Sequence, residues 1–600
     1  MCGIAGILDY TQPVDRAALD RFTDALAHRG PDGRGTWTDG PVGLGHRRLA
    51  ILDPSPLGAC PMAYEAPDGE VLRLTFNGEI YNFLELRETL RAEGYRFRTD
   101  TDTEVVAAAW HRWGAEAMHR FNGMWAFALW RERTRTLVLA RDRFGVKPLY
   151  VLATGSRVAF ASELKAFRAL PWVTPQLDPE AAALFFRDPA AYDGVSMGTA
   201  LAGVHRVPAG HTLTLGVDGS ASLDAWWDAD AHVPEVPATY DAQVEAFRAL
   251  FLDAVRVRMR SDVPIGTSLS GGLDSSAVAC GMAVFARAAE GDPWGVSMLG
   301  ARSNDAFVRC AADARRTFIA TFPGDPVDER AWADLVVAHA KALPEYWTFR
   351  GAAALRDLPA SVWALDDLSA VPAVPVFNIY RLMRAHGVVV TLDGHGGDEL
   401  LAGYSWHREV PRTELNALLR RDFASTHLPS ILRNYDGCSM ANGVEVRSPF
   451  MDWRLVQFTH ALPAECKYDG TVSKRILRDA LTGVLPEAIR TRTSKLGFES
   501  PLVAWANGGL GPVLLAATRT DAWQGAPAVA EAARVAQVVE ARTKARAWTA
   551  DDRIALALAW RLLSYVLWCE QFVGAGDRIT RMLGGAVVPA ARTDLLGAAA

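Results

Sequence analysis

Residues 270–276 read Ser270-Gly271-Gly272-Leu273-Asp274-Ser275-Ser276, directly after the apolar run 266–269 and directly before a stretch of helical periodicity over 275–289. A buried strand, a glycine-rich turn and a helix in that order make a βα unit whose turn is built to receive an anion. Gly271 and Gly272 let the backbone approach the anion closely, the serines add hydroxyl donors, and the helix start adds free N–H groups and a favourable dipole. Asp274 would repel a bare phosphate, so its presence calls for a bridging Mg²⁺. No Gly-Lys-Ser/Thr follows, which excludes a Walker loop.

The surrounding pattern divides the chain. Up to about residue 225, short strands alternate with Gly/Pro turns at 42–46, 71–76, 136–140, 150–152 and 212–216. Two helical stretches, near 82–94 and 103–117, interrupt them. This predicts an α+β unit on antiparallel sheets over 1–225. From about 235 a helix at 240–260, strands at 266–269 and 294–299, and a helix at 376–386 leading into a strand at 388–392 predict a parallel α/β sheet. The chain reads as mostly helical from about 405, so a second unit spans 226–575. Residues 576–600, rich in Ala, Gly and Arg, read as a poorly ordered tail.

Composition narrows the partners. The 600 residues are 50% hydrophobic and 22% charged with net charge −6, a globular balance without the basic bias of nucleic-acid or membrane-surface binding. The 7 cysteines form no CxxC pair or zinc spacing and read as reduced thiols. No apolar run reaches bilayer length and no signal-peptide pattern opens the chain, so a cytoplasmic location is expected.

Cys2 follows the initiator methionine. Removal of Met1 puts a thiol and an α-amine, of pKa near 8, on the same carbon. That amine can serve as the thiol's base, so the nucleophile needs no separate histidine. A buried structural cysteine is the plain alternative. Arg48, Asn77, Gly78, Glu79 and Asp102 fall near strand ends or turns. They offer a fork for a substrate carboxylate, donors for an oxyanion and acids for an ammonium. Asn77-Gly78 also suits an ordinary hairpin turn, and Arg48 an ordinary surface position.

A second loop, 392–399, again follows an apolar run. In a parallel sheet it converges with the first, so Asp398 can join Asp274 around a metal. Lys474 and Lys495 offer cations for a pyrophosphate, although a late lysine is more often a solvated surface residue.

Taken together, these motifs resemble the glutamine-hydrolysing asparagine synthetases of the B type over nearly the whole chain. Residues 2–4, 28–32, 45–49, 77–82, Asp102 and 143–150 resemble class II glutamine amidotransferases. Residues 270–276, 394–403, 439–445 and Lys495 resemble the ATP-pyrophosphatase synthetases. The resemblance implies an N-terminal-nucleophile domain followed by an ATP-pyrophosphatase domain. In it, Cys2 releases ammonia from glutamine, Asn77 and Gly78 form the oxyanion hole, and Arg48, Glu79 and Asp102 hold the substrate. ATP would lie across Leu269, Ser270, Gly271, Gly272, Leu273, Asp274, Ser275 and Ser276, with Val296, Gly394 and Lys474 as further contacts. Mg²⁺ would sit at Asp274 and Asp398. A carboxylate would become an acyl-adenylate steadied by Lys495, and ammonia would cross between the domains to form the amide. Relatives are often homodimers.

The chain also departs from the family. His395 stands where a glutamate assigned acid–base work is usual, and it is a candidate for the same task. Asp436-Gly437-Cys438 replaces a stretch that usually carries Arg-Asn, and 301–320 fits poorly. The acceptor pocket lies among these parts. Aspartate is the family default, another biosynthetic carboxylate is the alternative, and a non-catalytic scaffold is a third reading, opposed by the intact Cys2, Arg48, Asp274, Asp398 and Lys495.

Overall fold

A computed structural model of the chain describes residues 1–299, 310–311, 313–351, 355–494 and 500–585. Two antiparallel six-stranded sheets form its first part. In one, Gly3–Asp9 lies between Arg157–Ala161 and Val42–Arg48. In the other, Val71–Ile80 lies between Met62–Glu65 and Gly123–Arg131. Ile4, Leu8, Leu44, Trp130 and Leu139 interdigitate between the two sheets. Helix Arg16–Asp24 buries Leu19 and Phe22 against the outer face of the first sheet. Helix Asp102–Trp113 covers the second. Gly3–Asp9 is buried along its whole length, which explains an apolar run without alternation at the N-terminus.

The second part holds a five-stranded sheet in which every pairing is parallel, ordered Leu343–Thr348, Arg316–Thr321, Ile265–Ser268, Val390–Leu392, Glu445–Arg447. Ile265–Ser268 and Val390–Leu392 are neighbours, so the loops after them meet above their carboxyl ends.

Two expectations are corrected. The segment expected as a strand at 294–299 is the helix Pro293–Leu299. Asp292 accepts the Trp294 N–H at 3.0 Å, and proline occupies the first turn; both start a helix. The strand in question is Arg316–Thr321. The tail is not irregular throughout, because helix Arg578–Met582 buries Ile579 completely. The end of the first 225 residues also packs on the second unit. Phe185 and Tyr192, on helices Pro179–Arg187 and Pro189–Gly194, pack with Trp505, Tyr565 and Phe572.

Candidate active sites

Strand Val71–Ile80 is paired by Met62–Glu65 only as far as Leu74, so its second half presents an open edge. Backbone groups of alternate residues point to that edge. The Phe76 carbonyl meets His46 Nε2 at 3.1 Å, and the Ile80 N–H donates to Asp102 Oδ2 at 2.8 Å. Gly78 lies between them with the same parity. Its partner Trp125 turns its own N–H and carbonyl to Asp142 on the far side, which directs the Gly78 N–H to the open edge. A Cβ at Gly78 would sit 2.2 Å from the Met124 carbonyl oxygen, so only glycine fits.

Cys2 faces this edge. Its backbone N–H donates to Asn77 Oδ1 at 3.0 Å. That bond orients the Asn77 amide and leaves its buried Nδ2 without a partner among the described residues. Burial pushes the Cys2 thiol above its ordinary pKa, against the lowering effects of the chain's terminal ammonium, the Leu49 N–H and Arg48. Such a thiol is poorly ionised at pH 7 and requires a base. His46 is held neutral by burial, its pKa depressed to about 3. Met1 is itself buried, with its ammonium 3.0 Å from Glu445 Oε2. Its removal would transfer the free amine to Cys2.

Arg48 is fixed by the carbonyls of Ser55 (2.7 Å), Leu52 (3.3 Å) and Asp53 (2.5 Å), which leaves Nε and one NH1 hydrogen for a carboxylate. Burial raises the Asp102 pKa to about 6, aided by Glu445 and opposed by the Ile80 N–H. Burial also holds Glu79 well above the usual range, against the pull of Arg447, whose NH2 lies 3.3 Å from Glu79 Oε1. Arg447 also meets Glu445 at 2.6 Å. These two residues come from the second domain and escaped the sequence reading, as did Arg29. The buried Arg29 donates Nε to the Cys2 carbonyl at 3.0 Å and NH1 to Glu163 (2.8 Å) and Asp436 (3.0 Å). The only sequence signals were the quoted motifs 28–32 and 439–445.

In the second domain the turn before helix Leu273–Ala289 is preorganised: Ser270 Oγ meets Ser275 Oγ at 3.0 Å and accepts the Gly272 N–H at 3.2 Å. Gly271 adopts φ +80°, with Ala333 N 2.6 Å from where a Cβ would stand. The second loop presses on the first. A Cβ at Gly394 would lie 2.9 Å from Asp274 Cβ, and one at Gly397 2.7 Å from Asp274 Oδ1. Asp274 and Asp398 converge on the buried Lys474 ammonium, which is 2.5 Å from Asp398 Oδ1 and in contact with Asp274 Oδ2. Burial opposes the charge on Lys474, and the two carboxylates more than restore it. A Cβ at Gly403 would fall 1.7 Å from Asp398 Oδ1 and 2.6 Å from Lys474 Cε, filling the cradle. Two carboxylates facing one cation in a space kept open by glycine fit Mg²⁺, which takes hard oxygen ligands.

A cavity of about 1240 Å³ opens over these loops. Leu269, Ser270, Gly272, Leu273, Asp274, Ser275, Gly394, His395, Asp398 and Lys474 line it. Gly271 meets Arg492 through its carbonyl, at 3.1 Å. Ser276 is not brought to the cavity: it is fully buried behind the turn. Nor is Val296, which is 46% exposed on helix Pro293–Leu299. Phe318 and Ala320, on the strand that replaces the expected one, line the cavity instead. Lys495 lies outside the described residues. His395 is half-buried, its ring centre 3.9 Å from that of Tyr435 and its Nδ1 3.4 Å from Ser448 Oγ. Burial lowers its pKa. No described helix is long and apolar enough to cross a membrane.

Fold and sites together define a glutamine amidotransferase domain of the N-terminal-nucleophile type joined to a parallel-sheet synthetase domain. The family described as "Glutamine amidotransferase domain" matches residues 1–227, and the family described as "Asparagine synthase" matches 246–416 and 410–570. A putative asparagine synthetase [glutamine-hydrolyzing] of Mycobacterium bovis is 30% identical, covering 93% of this chain and 94% of the relative. Asparagine synthetase [glutamine-hydrolyzing] 1 of Bacillus subtilis is 29% identical over 84% of this chain and 88% of its own length. Among solved structures, glutamine phosphoribosylpyrophosphate amidotransferase from B. subtilis covers 58% of this chain and 81% of its own at 16% identity, with a TM-score of 0.30.

The chain belongs to the glutamine-hydrolysing asparagine synthetase family, whose chemistry is glutamine-dependent, ATP-driven amide synthesis.

Proposed function

We propose that Cys2 hydrolyses glutamine and that the ammonia so released amidates a carboxylate activated by ATP in the second domain. The observation that carries the first half is the Asn77 amide, whose oxygen is committed to Cys2 N–H and whose buried Nδ2 has no described partner. With Met1 removed, the α-amine takes the thiol proton, and sulphur attacks the glutamine side-chain carbonyl. Asn77 Nδ2 and Gly78 N–H receive the developing oxyanion. The tetrahedral adduct collapses to a thioester as ammonia leaves with the returned proton. Water then frees glutamate. Arg48 holds the glutamine carboxylate, and Glu79 and Asp102 hold its ammonium.

In the synthetase domain the 270–276 turn and the start of helix Leu273–Ala289 bind the phosphates of ATP. Leu269, Phe318 and Ala320 supply the apolar wall for the base. Asp274 and Asp398 would hold the Mg²⁺ that neutralises phosphate charge when bound, with Lys474 as their standing counter-ion. The acceptor carboxylate displaces pyrophosphate from the α-phosphate to form an acyl-adenylate, because a bare carboxylate has no leaving group that ammonia can displace at neutral pH. Ammonia then displaces AMP. His395, neutral and beside Ser448, is suited to take the proton that the attacking nitrogen sheds. Lys495 is assigned to the adenylation step on motif alone. The relatives' names point to aspartate as acceptor.

Asp274→Asn tests this division. Pyrophosphate release is expected to fall by two orders of magnitude or more while glutamine hydrolysis continues. Pyrophosphate appearing at the wild-type rate would defeat the assignment.

A further inference from the structure

The cavity over the two loops is larger than its phosphate end requires. At about 1240 Å³ it exceeds the roughly 300–1,000 Å³ typical of a site for one ligand, which gives room for ATP and a second ligand together. It lies between two cores. One contains Leu269 and Leu400, behind the phosphate turn. The other contains Leu556, with Ala370, Leu502 and Val503 packed on it, and belongs to the C-terminal helices. The far wall is built by Ala190, Ala370, Val371, Leu502, Val503 and Leu556, from four separate parts of the chain. Every one is apolar, and Val371 is 48% exposed. Large apolar side chains left exposed inside a cleft mark a surface that an apolar ligand covers.

The charges are distributed the other way. Lys474 is engaged by Asp274 and Asp398, and Arg492 by Gly271 and Glu329. Both stand at the phosphate turn. Of the other lining cations, Arg478 donates Nε to the Ser473 carbonyl and NH1 to the Arg490 carbonyl, and Arg408 and Arg553 are exposed. The groups in contact with His395 are neutral, namely the Tyr435 ring and the Ser448 hydroxyl. Asp393, two residues before it, has its carboxylate filled by Tyr380 OH, Thr391 Oγ1 and Ser268 N. An aspartate buried here would need a cation for its α-carboxylate and an acid for its ammonium. The described far wall is mainly apolar, and Arg408, His427, Asn434 and Arg553 also line the cavity.

We infer that the acceptor is a carboxylic acid carried on an apolar body larger than aspartate, seated against the Ala370–Val371 and Leu502–Val503 wall. This rests on the amide-synthetase reading of the same cavity and replaces only the acceptor.

The test is pyrophosphate release from ATP by the full-length chain with glutamine and Mg²⁺. L-Aspartate is compared with N-acetyl-L-phenylalanine, 4-phenylbutyrate and N-acetyl-leucyl-phenylalanine. At least one apolar acid is expected to exceed aspartate tenfold in kcat/KM. Val371→Asp, at an exposed position that the fold does not depend on, is expected to lower that value tenfold or more. Aspartate matching or exceeding every apolar acid overturns the inference and keeps the amide-synthetase reading, as does a Val371→Asp variant with unchanged kcat/KM for the apolar acid. No pyrophosphate with any acid, glutamine hydrolysis persisting, overturns the parent reading and the inference with it.

Discussion

Arg29 of the glutaminase domain and Asp436 of the synthetase domain form an ion pair at 3.0 Å, with Arg29 fully buried and Asp436 nearly so. Through Nε the same guanidinium holds the Cys2 carbonyl, and Asp436 also lies 3.4 Å from Lys147 Nζ. The nucleophile of one domain is therefore positioned by a carboxylate of the other. Next to Asp436, Tyr435 packs its ring against that of His395 at an interplanar angle of 59°, so one helix, Leu428–Met440, touches both centres.

Removing one member of a buried pair leaves an uncompensated charge and costs about 3–5 kcal/mol. Asp436→Ala is expected to lower unfolding free energy by about 3 kcal/mol in urea denaturation, Glu163 retaining part of the Arg29 charge. Glutaminase activity is expected to fall further than ammonia-supported synthesis. An unchanged denaturation midpoint contradicts the pairing.

Asp102 gives a pH signature. Its carboxyl is raised from 3.8 to about 6 by burial. The folded state thus holds this proton more firmly than the unfolded chain does. The resulting stability is complete below pH 3.8 and is lost as pH rises through about 6. Binding of the glutamine ammonium needs the ionised form. The kcat/KM for glutamine is therefore expected to rise with pH through about 6. Asp102→Asn is expected to flatten that limb and lower kcat/KM by about 10–100-fold, the worth of a charged hydrogen bond. An acid limb unchanged in the variant would assign it to another group.

Gly403 keeps the Asp274–Asp398–Lys474 cradle open. Its replacement by alanine places a Cβ where Asp398 Oδ1 now stands. Gly403→Ala is expected to lower ATP-dependent pyrophosphate release by on the order of 10²-fold, the scale of an ångström-sized misplacement at a reacting centre, and to spare glutamine hydrolysis. Wild-type pyrophosphate release in this variant contradicts the geometry.

Much of this was legible because it is local. The Ser270–Ser276 turn announces its strand and helix, whereas Asn77-Gly78, expected at a strand end or turn, lies inside strand Val71–Ile80. Where local pattern misled, a stronger local signal had been passed over: 294–299 is apolar, but Asp292 and Pro293 are helix-start residues. Val296, the nucleotide contact that the resemblance implied, lies on this helix outside the cavity, and Phe318 and Ala320 line the cavity instead. Ser276 was misplaced for a different reason. Once a helix begins at Leu273, the fourth residue of its first turn points wherever the helix face dictates, here into the core. The pairs Arg29–Asp436 and Glu79–Arg447 join residues hundreds of positions apart, and no periodicity encodes such contacts. Nor does sequence give a cavity its volume, which depends on how the C-terminal helices pack over the sheet.

The most direct measurement of shared ammonia is amide or pyrophosphate formation by Cys2→Ala, supplied in turn with glutamine and with ammonium chloride at alkaline pH. Glutamine-supported product is expected to vanish while ammonia-supported product persists near the wild-type rate. Equal loss of both activities, or product still formed from glutamine, would contradict a scheme in which the thiol at position 2 feeds nitrogen to the ATP site.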